Sequence, residues 1–248
     1  MKVSIVTICF NSAETIRTAL QSVIAQSYPD IEYIIVDGKS KDNTLSIVNE
    51  YKESIAKIIS EEDGGIYDAM NKGVKAATGD IIGILNSDDL YANEHVVSNM
   101  VKAISDADAV YADLVYVSRK DTNQVTRAWR AGVYKKGLFK KGWMPPHPTF
   151  FVKKACYDNY GYYSTELNSS ADYELMLRLI HKHEISVNYF PETIVKMRVG
   201  GQSTVSIKNR LAANKEDRRA WEMNGLQPGI ATIRKPLSKL SQFLRKQV

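Results

Sequence analysis

The stretch Asp80-Ile81-Ile82-Gly83-Ile84-Leu85-Asn86-Ser87-Asp88-Asp89 decides how the rest of the chain is read. Ile81 to Leu85 is continuously apolar, the pattern of a strand buried on both faces of a parallel sheet. It runs straight into a polar corner holding two adjacent acids. Just upstream, Tyr67 to Ala77 has helical spacing, with Met70, Val74 and Ala77 on one face and Gly79 placed as a C-terminal stop. Further back, Val3 to Phe10 reads as a first buried strand. Asn11 suits a helix cap, with Glu14 three residues on and Ile16, Leu20, Val23 and Ile24 at helical positions. Tyr33 to Val36 is a second strand ending in the turn Asp37 to Asn43. Leu45, Val48, Tyr51 and Ile55 mark an amphipathic helix, and Lys57 to Ser60 a third strand. This alternation predicts an α/β fold built on a doubly wound, mostly parallel sheet. Ligands of such sheets bind beyond the carboxyl ends of the strands. Phe10, Asp37 and Asn86 to Asp89 all fall at such ends.

Past Asp113 the rhythm breaks. Arg127 to Pro148, with Trp129, Trp143 and Pro145-Pro146-His147-Pro148, reads as a long loop region of the kind that carries function. Asp172 to Lys182 returns to helix and Ser186 to Phe190 to strand; after Gly200-Gly201 the chain is polar and helical to Gly225. The expected division is an α/β half over 1–113, a second, α+β half of the same domain over 114–205 and a C-terminal helical tail over 206–248.

Composition narrows the class. A chain of 248 residues, 44% hydrophobic and 25% charged, can bury a full core. The formal charge of +5, from 33 Lys and Arg against 28 Asp and Glu, suits an enzyme of anionic nucleotides or an anionic surface. It falls short of a nucleic-acid binder, and no zinc-finger, RRM or basic-zipper pattern occurs. Two distant cysteines, Cys9 and Cys156, exclude a disulfide scaffold and a structural zinc site. The chain enters a strand at once, without a signal-peptide pattern, and has no apolar run of about 18 residues. The expected location is cytoplasmic, or peripheral on the inner face of the cytoplasmic membrane.

Several residues carry candidate chemistry. Asp88 and Asp89, at a strand end, can present one carboxylate to a divalent metal and another to its bound water, so that the metal stabilises a departing diphosphate. A capping turn would also place acids there; the position at the ligand edge, in register with Asp37, favours the metal. Asp37 either starts an Asx-turn or accepts from a pyrimidine imide N–H or a ribose hydroxyl. Phe10 either stacks on a base or joins the core. Asp172, opening a helix in Ser169-Ser170-Ala171-Asp172-Tyr173-Glu174, is either a first-turn acid favoured by the macrodipole or a general base. His147 either donates to a phosphate or sugar hydroxyl or fills a loop.

Taken in order, these residues resemble the family 2 glycosyltransferases. The resemblance rests on Val3 to Asn11, on Ile35-Val36-Asp37-Gly38-Lys39-Ser40-Lys41-Asp42-Asn43-Thr44, on Asp68-Ala69-Met70-Asn71-Lys72-Gly73, and on Ala77-Thr78-Gly79-Asp80 with Asn86-Ser87-Asp88-Asp89. It extends more loosely through Pro146 to Phe151, Ala171 to Leu175 and Gly200 to Ser203. The resemblance implies the A-type glycosyltransferase fold and transfer, with inversion, from a UDP, GDP or dTDP sugar. It implies that Phe10, Asn11, Asp37 and Asn86 contact the nucleoside, and that Asp88, with Asp89 beside it, ligates Mn²⁺ or Mg²⁺. By the same resemblance Asp172 is the base, and His147, Trp143, Gly200 and Gly201 border the acceptor or phosphates. Two positions depart from the family pattern. Asn86 stands at the first place of its D-x-D motif, where an amide can still bond a ribose hydroxyl. Ala171 replaces the acid usual before the base.

Likeness to transferases of bacterial capsule, exopolysaccharide and lipopolysaccharide assembly implies a lipid-linked glycan acceptor. Leu237, Leu240, Phe243 and Leu244 share a helical face, with Pro236 suited to a first helical position. That helix either rests on an anionic membrane or packs on protein. The rival from another class is a catalytically inactive sugar-nucleotide-binding scaffold. A nucleotidyltransferase is disfavoured because Asn11 to Thr15 lacks the glycine-rich loop it needs, and a nicotinamide enzyme because no G-x-G-x-x-G occurs.

Overall fold

The first strand, β1 (Val3–Cys9), is buried along its whole length and sits between β2 (Ile31–Asp37) and β4 (Ile81–Ile84), parallel to both. This is the arrangement its unbroken apolar run demands, since neither face meets water. β3 (Lys57–Ser60) pairs in parallel with β2. The computed structural model describes residues 1–200 and 207–238. Among them one sheet of nine strands runs β3-β2-β1-β4-β8-β6-β9-β5, with β7 on the side of β6. The remaining strands are β5 (Asp89–Tyr91), β6 (Ala109–Val117), β7 (Val125–Trp129), β8 (Phe151–Lys153) and β9 (Val187–Arg198). β8 is antiparallel to both β4 and β6, which restores β6 and β9 to the direction of β1. The expected boundary at 113/114 falls inside β6, so the two halves share one sheet.

Helices cover both faces. α1 (Ile16–Ile24), α2 (Thr44–Asn49) and α4 (Val96–Ile104) seal one core, with Ile16, Leu20, Val48 and Met100 buried against Ile5, Ile35 and Val110. α3 (Ile66–Ala76), α5 (Lys154–Tyr160) and α6 (Ala171–Met176) seal the other through Met70, Val74, Tyr157 and Tyr173. A π-helical turn, Leu177–Lys182, continues α6. Two C-terminal helices, α7 (Ile207–Met223) and α8 (Ala231–Ser238), follow.

Local expectations are corrected at several points. Asn11 is not a helix cap: its φ is +49° and α1 begins only at Ile16, after Thr15. The helix expected through Ile55 stops at Asn49 and resumes as a short 3₁₀ turn at Lys52–Ser54. Gly79 does not end α3, whose cap is the extended Ala77. It is a glycine because the chain crosses β1 there: a Cβ would lie 2.6 Å from Ser4 Oγ and 2.7 Å from Ser4 N. The loop expected over Arg127 to Pro148 opens with β7 and contains 3₁₀ turns at Phe139–Lys141 and His147–Thr149. Pro236 lies inside α8 rather than at its first position. Leu240, Phe243 and Leu244 of the expected amphipathic tail lie outside the described residues.

The crossing at Gly79 is tied by one carboxylate. Glu32 accepts from Ser4 Oγ (2.5 Å), Thr78 N (2.7 Å), Thr78 Oγ1 (2.6 Å) and Lys2 Nζ (2.9 Å). Burial pushes its pKa up, but these bonds outweigh burial and hold it at about 2 against an ordinary 4.5. A depressed carboxylate stabilises the fold fully above its unfolded pKa and ceases to do so as pH falls through the folded one. After discounting for the half-exposed Lys2, the contribution is about 2 kcal/mol. Glu32→Gln, which sets an amide NH₂ against these donors, is expected to lower Tm at pH 7 by roughly 4–8 °C. The gap between the two proteins should close as pH is taken from 5 towards 2. A pH-independent gap in thermal melts would show that the charge contributes nothing.

Candidate active site

The loops after β1, β2 and β4 emerge side by side at the carboxyl edge of the sheet, where a doubly wound fold has its crevice. Phe10 follows β1 with its ring 56% exposed, so the structure places it in the crevice and not in the core. Asn11 closes the loop against its neighbour: its N–H donates to Ser40 Oγ (2.8 Å), and its Oδ1 accepts from Lys41 N (2.9 Å). Ser12 and Ser87 hydroxyls meet at 2.8 Å, joining the loop after β1 to the acidic corner after β4.

Asp37 is enclosed completely. Its carboxylate accepts from Ser40 Oγ (2.5 Å), Ser60 Oγ (2.7 Å) and Ser40 N (3.2 Å). It fixes the ends of β2 and β3 and does not open onto the crevice.

The adjacent acids separate. Asp88 is half-buried, and its carboxylate has no hydrogen bond or ion pair among the described residues. Asp89 belongs to β5, pairs with Met197 in β9 and is 1% exposed. Burial, then the neighbouring Asp88 charge, pushes its pKa well above the usual carboxylate range. Its Oδ2 accepts from Asn86 Nδ2 at 3.3 Å, while Asp89 Oδ1 and Asn86 Oδ1 are buried with no hydrogen-bond partner among the described residues. The expectation of two carboxylates at the crevice is therefore corrected to one. Strand pairing turns Asp89 inward, where burial disfavours its charged form.

Arg198, which carried no signal in the sequence beyond a basic residue near Gly200, supports this corner from beneath. It is buried at the end of β9, donates to Asp88 O (2.7 Å) and to Thr18 Oγ1 of α1 (2.9 Å), and so fixes the backbone that presents Asp88.

Asp172 is the second residue of α6. Its Oδ1 accepts from Tyr67 Oη at 3.3 Å. Burial, and then the Asp172 charge, pushes the Tyr67 phenol up, so it stays a donor. Tyr67 stacks on Tyr163 (centroids 6.0 Å apart, planes 17°), and Tyr163 Oη meets His147 Nε2 at 3.0 Å. Asn71 grips the Tyr163 backbone twice, Nδ2 to O at 2.8 Å and N to Oδ1 at 2.9 Å. Burial holds the His147 pKa below 6.5, partly offset by Asp172, so the ring is neutral at pH 7. It braces Tyr163, whose ring stacks on the Tyr67 that donates to Asp172.

Trp143 belongs to an aromatic cluster. Its indole N–H is held by Ala131 O (2.7 Å), and its ring packs on Tyr111, Tyr134 and Phe139. Gly200 has φ +95° and open space around its Cα; Gly201 lies outside the described residues.

The helix carrying Asp172 is braced from behind by α7 and α8. Glu216 accepts from Asn168 N (3.0 Å), Ser169 N (2.8 Å) and Ser169 Oγ (2.8 Å), just ahead of α6. Trp221 Nε1 donates to Tyr173 Oη at 2.9 Å, and Asn224 Nδ2 to Glu174 Oε1 at 2.9 Å. Lys235 and Asp217 form a buried ion pair at 2.6 Å, with the ammonium 3.6 Å from the Tyr173 ring centroid.

With this geometry in place, comparison with known proteins defines the class. The fold is that of the A-type glycosyltransferases. It superposes on S. aureus TarS 1–349 in complex with UDP-GlcNAc with a TM-score of 0.70 at 18% identity, over 100% of this chain and 77% of that one. Mannosyltransferase PcManGT from Pyrobaculum calidifontis, in complex with GDP-Man and Mn²⁺, gives 0.69 at 20% identity over 96% and 69%. The glycosyl transferase family 2 model matches residues 4–165, and the chain belongs to that family. An uncharacterised glycosyltransferase of Mycobacterium tuberculosis is 39% identical over 104 residues, which span 42% of this chain and 40% of that protein. A PGL/p-HBAD biosynthesis glycosyltransferase of Mycobacterium bovis is 28% identical over 192 residues, covering 75% of this chain and 72% of that one.

Proposed function

We propose that this protein transfers a hexose from a nucleoside-diphosphate sugar to an acceptor hydroxyl, with inversion and with the help of a divalent metal. The observation that supports the reading is that Asp88 follows β4 at the carboxyl edge of the parallel strands, while Asp172 is tethered through Tyr67 to the first turn of α3, which follows β3. Among the described residues no three His, Cys, Asp or Glu side chains converge as a ready-made metal cage. One open carboxylate still fits Mn²⁺ or Mg²⁺, which take their other ligands from water and the diphosphate. When bound, the metal supplies charge stabilisation for the leaving nucleoside diphosphate.

The chain's own groups do the rest. Asp88 anchors, and Arg198 keeps its backbone in place. Phe10 offers an exposed ring to the base. Asp172 takes the acceptor proton as the hydroxyl oxygen bonds to the anomeric carbon and the bond from that carbon to the phosphate oxygen breaks. The donor class draws support from the complexes of TarS with UDP-GlcNAc and of PcManGT with GDP-Man and Mn²⁺. A lipid-linked glycan of a bacterial envelope polysaccharide is the acceptor we assign, and the cytoplasmic membrane surface the place of action. No helix among the described residues is long and apolar enough to cross a membrane.

Incubation with UDP, GDP and dTDP sugars, with and without Mn²⁺, and NMR of the product should show one donor consumed and the opposite anomeric configuration. A product of retained configuration would overturn the single displacement. Donor binding without turnover on any acceptor would make the protein a scaffold.

A further inference from the structure

With Asp37 enclosed, another group must read the base, and we infer that it is Asp63. Resting on the nucleoside-diphosphate reading above, the inference adds the chemical class of base: one that presents an imide or lactam N–H, as uracil, thymine and guanine do.

The argument starts at Gly38, immediately after β2. Its N–H is held by Cys9 O at 2.9 Å, and its backbone is free of left-handed strain. What makes it a glycine is its neighbour. A Cβ there would overlap Asp63 Oδ2 and would lie 3.3 Å from Asp63 Cγ and 3.4 Å from Phe10 Cδ2. The space above Gly38 is therefore taken by a carboxylate borrowed from the loop after β3, and that carboxylate sits beside the exposed Phe10 ring. Asp63 is itself half-buried, and its orientation is set by Gly65 N, which donates to Oδ1 at 2.9 Å. Oδ2 has no partner among the described residues.

An aromatic face and a carboxylate oxygen a few ångströms to its side make a base-reading pair. The ring offers stacking to any base, and the oxygen offers only acceptance. A carboxylate accepts well from the N3–H of uracil or thymine and from the N1–H and amino group of guanine. It is repelled by the N3 lone pair of cytosine and the N1 lone pair of adenine. Cytosine and adenine keep an exocyclic amino donor but present a ring lone pair beside it, so the carboxylate discriminates against them where stacking does not. Asp63 is thus a specificity-determining residue, and Gly38 the vacancy that admits it.

Calorimetric titration of the full chain with UDP, dTDP, GDP, CDP and ADP in Mn²⁺ tests this. For the wild type, one of the first three is expected to bind at least about tenfold more tightly than CDP or ADP, the worth of one charge-assisted hydrogen bond at a partly open site. Asp63→Ala should bring all five within about twofold of one another while the metal-dependent binding persists. Gly38→Ala, which leaves Asp63 in the chain but displaces its carboxylate, should do the same. The N3-methylated form of UDP, or the N1-methylated form of GDP, should bind the wild type as weakly as the parent nucleotide binds Asp63→Ala. Undiminished discrimination in both variants, or a wild type that prefers CDP or ADP, would overturn the inference and leave the transferase reading intact. Failure of every nucleotide to bind the wild type would overturn both.

Discussion

Asp172→Asn is expected to lower kcat by about a thousandfold while donor affinity changes by no more than about twofold. The substitution is nearly isosteric. The amide oxygen can still accept from Tyr67 Oη, so the stack of Tyr67 on Tyr163 and the His147 contact beneath it should persist. What disappears is the ability to take a proton as the acceptor oxygen bonds to carbon. That proton transfer belongs to the chemical step and not to donor binding, so the loss should fall on kcat. Steady-state kinetics beside calorimetry of the nucleoside diphosphate will separate the two. Near-wild-type kcat would remove Asp172 from the mechanism, and an equal loss of donor affinity would make it a structural acid at the start of α6.

Asp88→Ala should abolish the metal-dependent part of nucleoside-diphosphate binding, a loss of at least about a hundredfold with Mn²⁺ present. Asp89→Asn should leave that dependence intact. The contrast follows from geometry: Asp88 is half-buried with no partner for its carboxylate among the described residues, whereas Asp89 is enclosed in the pairing of β5 with β9. An asparagine keeps the shape of Asp89 and removes its charge. Titrations of the two variants with and without Mn²⁺ decide the matter. If Asp89→Asn loses metal dependence and Asp88→Ala keeps it, the assignment is reversed.

The parallel half of the fold is legible because its strands are buried on both faces and their apolar runs admit no other reading. Val3 to Cys9 and Ile81 to Ile84 announce themselves. The acceptor half is harder, because β5 and β8 are three residues long and carry no periodicity, and β9 is polar or half-exposed over much of its length. Asp88 and Asp172 stand out by position and by resemblance. Whether a neighbouring acid faces in or out does not, since it depends on a strand pairing with Met197 more than a hundred residues away. Asp37 shows the same limit. An aspartate at a strand end looks available until Ser40 and Ser60 fill its oxygens. Asp63 was hidden in a run of acids, Glu61-Glu62-Asp63, and only the missing side chain at Gly38 distinguishes it.

The place of β9 in the sheet has a consequence for how the protein is made. β9 lies between β6 and β5, although it follows both by some seventy to a hundred residues of chain. One edge of β6 can be covered early by β7, but the other has no partner until Val187 to Arg198 is synthesised. At roughly 5–20 residues per second that is an interval on the order of ten seconds, during which a long apolar strand offers an open edge to any neighbour. The same late strand delivers Arg198 to the corner that presents Asp88, and α7 and α8 must still follow to brace Asp172. That corner therefore reaches its working form only after β9, α7 and α8 have been made. A nascent chain stalled before β9 would be both inactive and the species most exposed to aggregation and to chaperones.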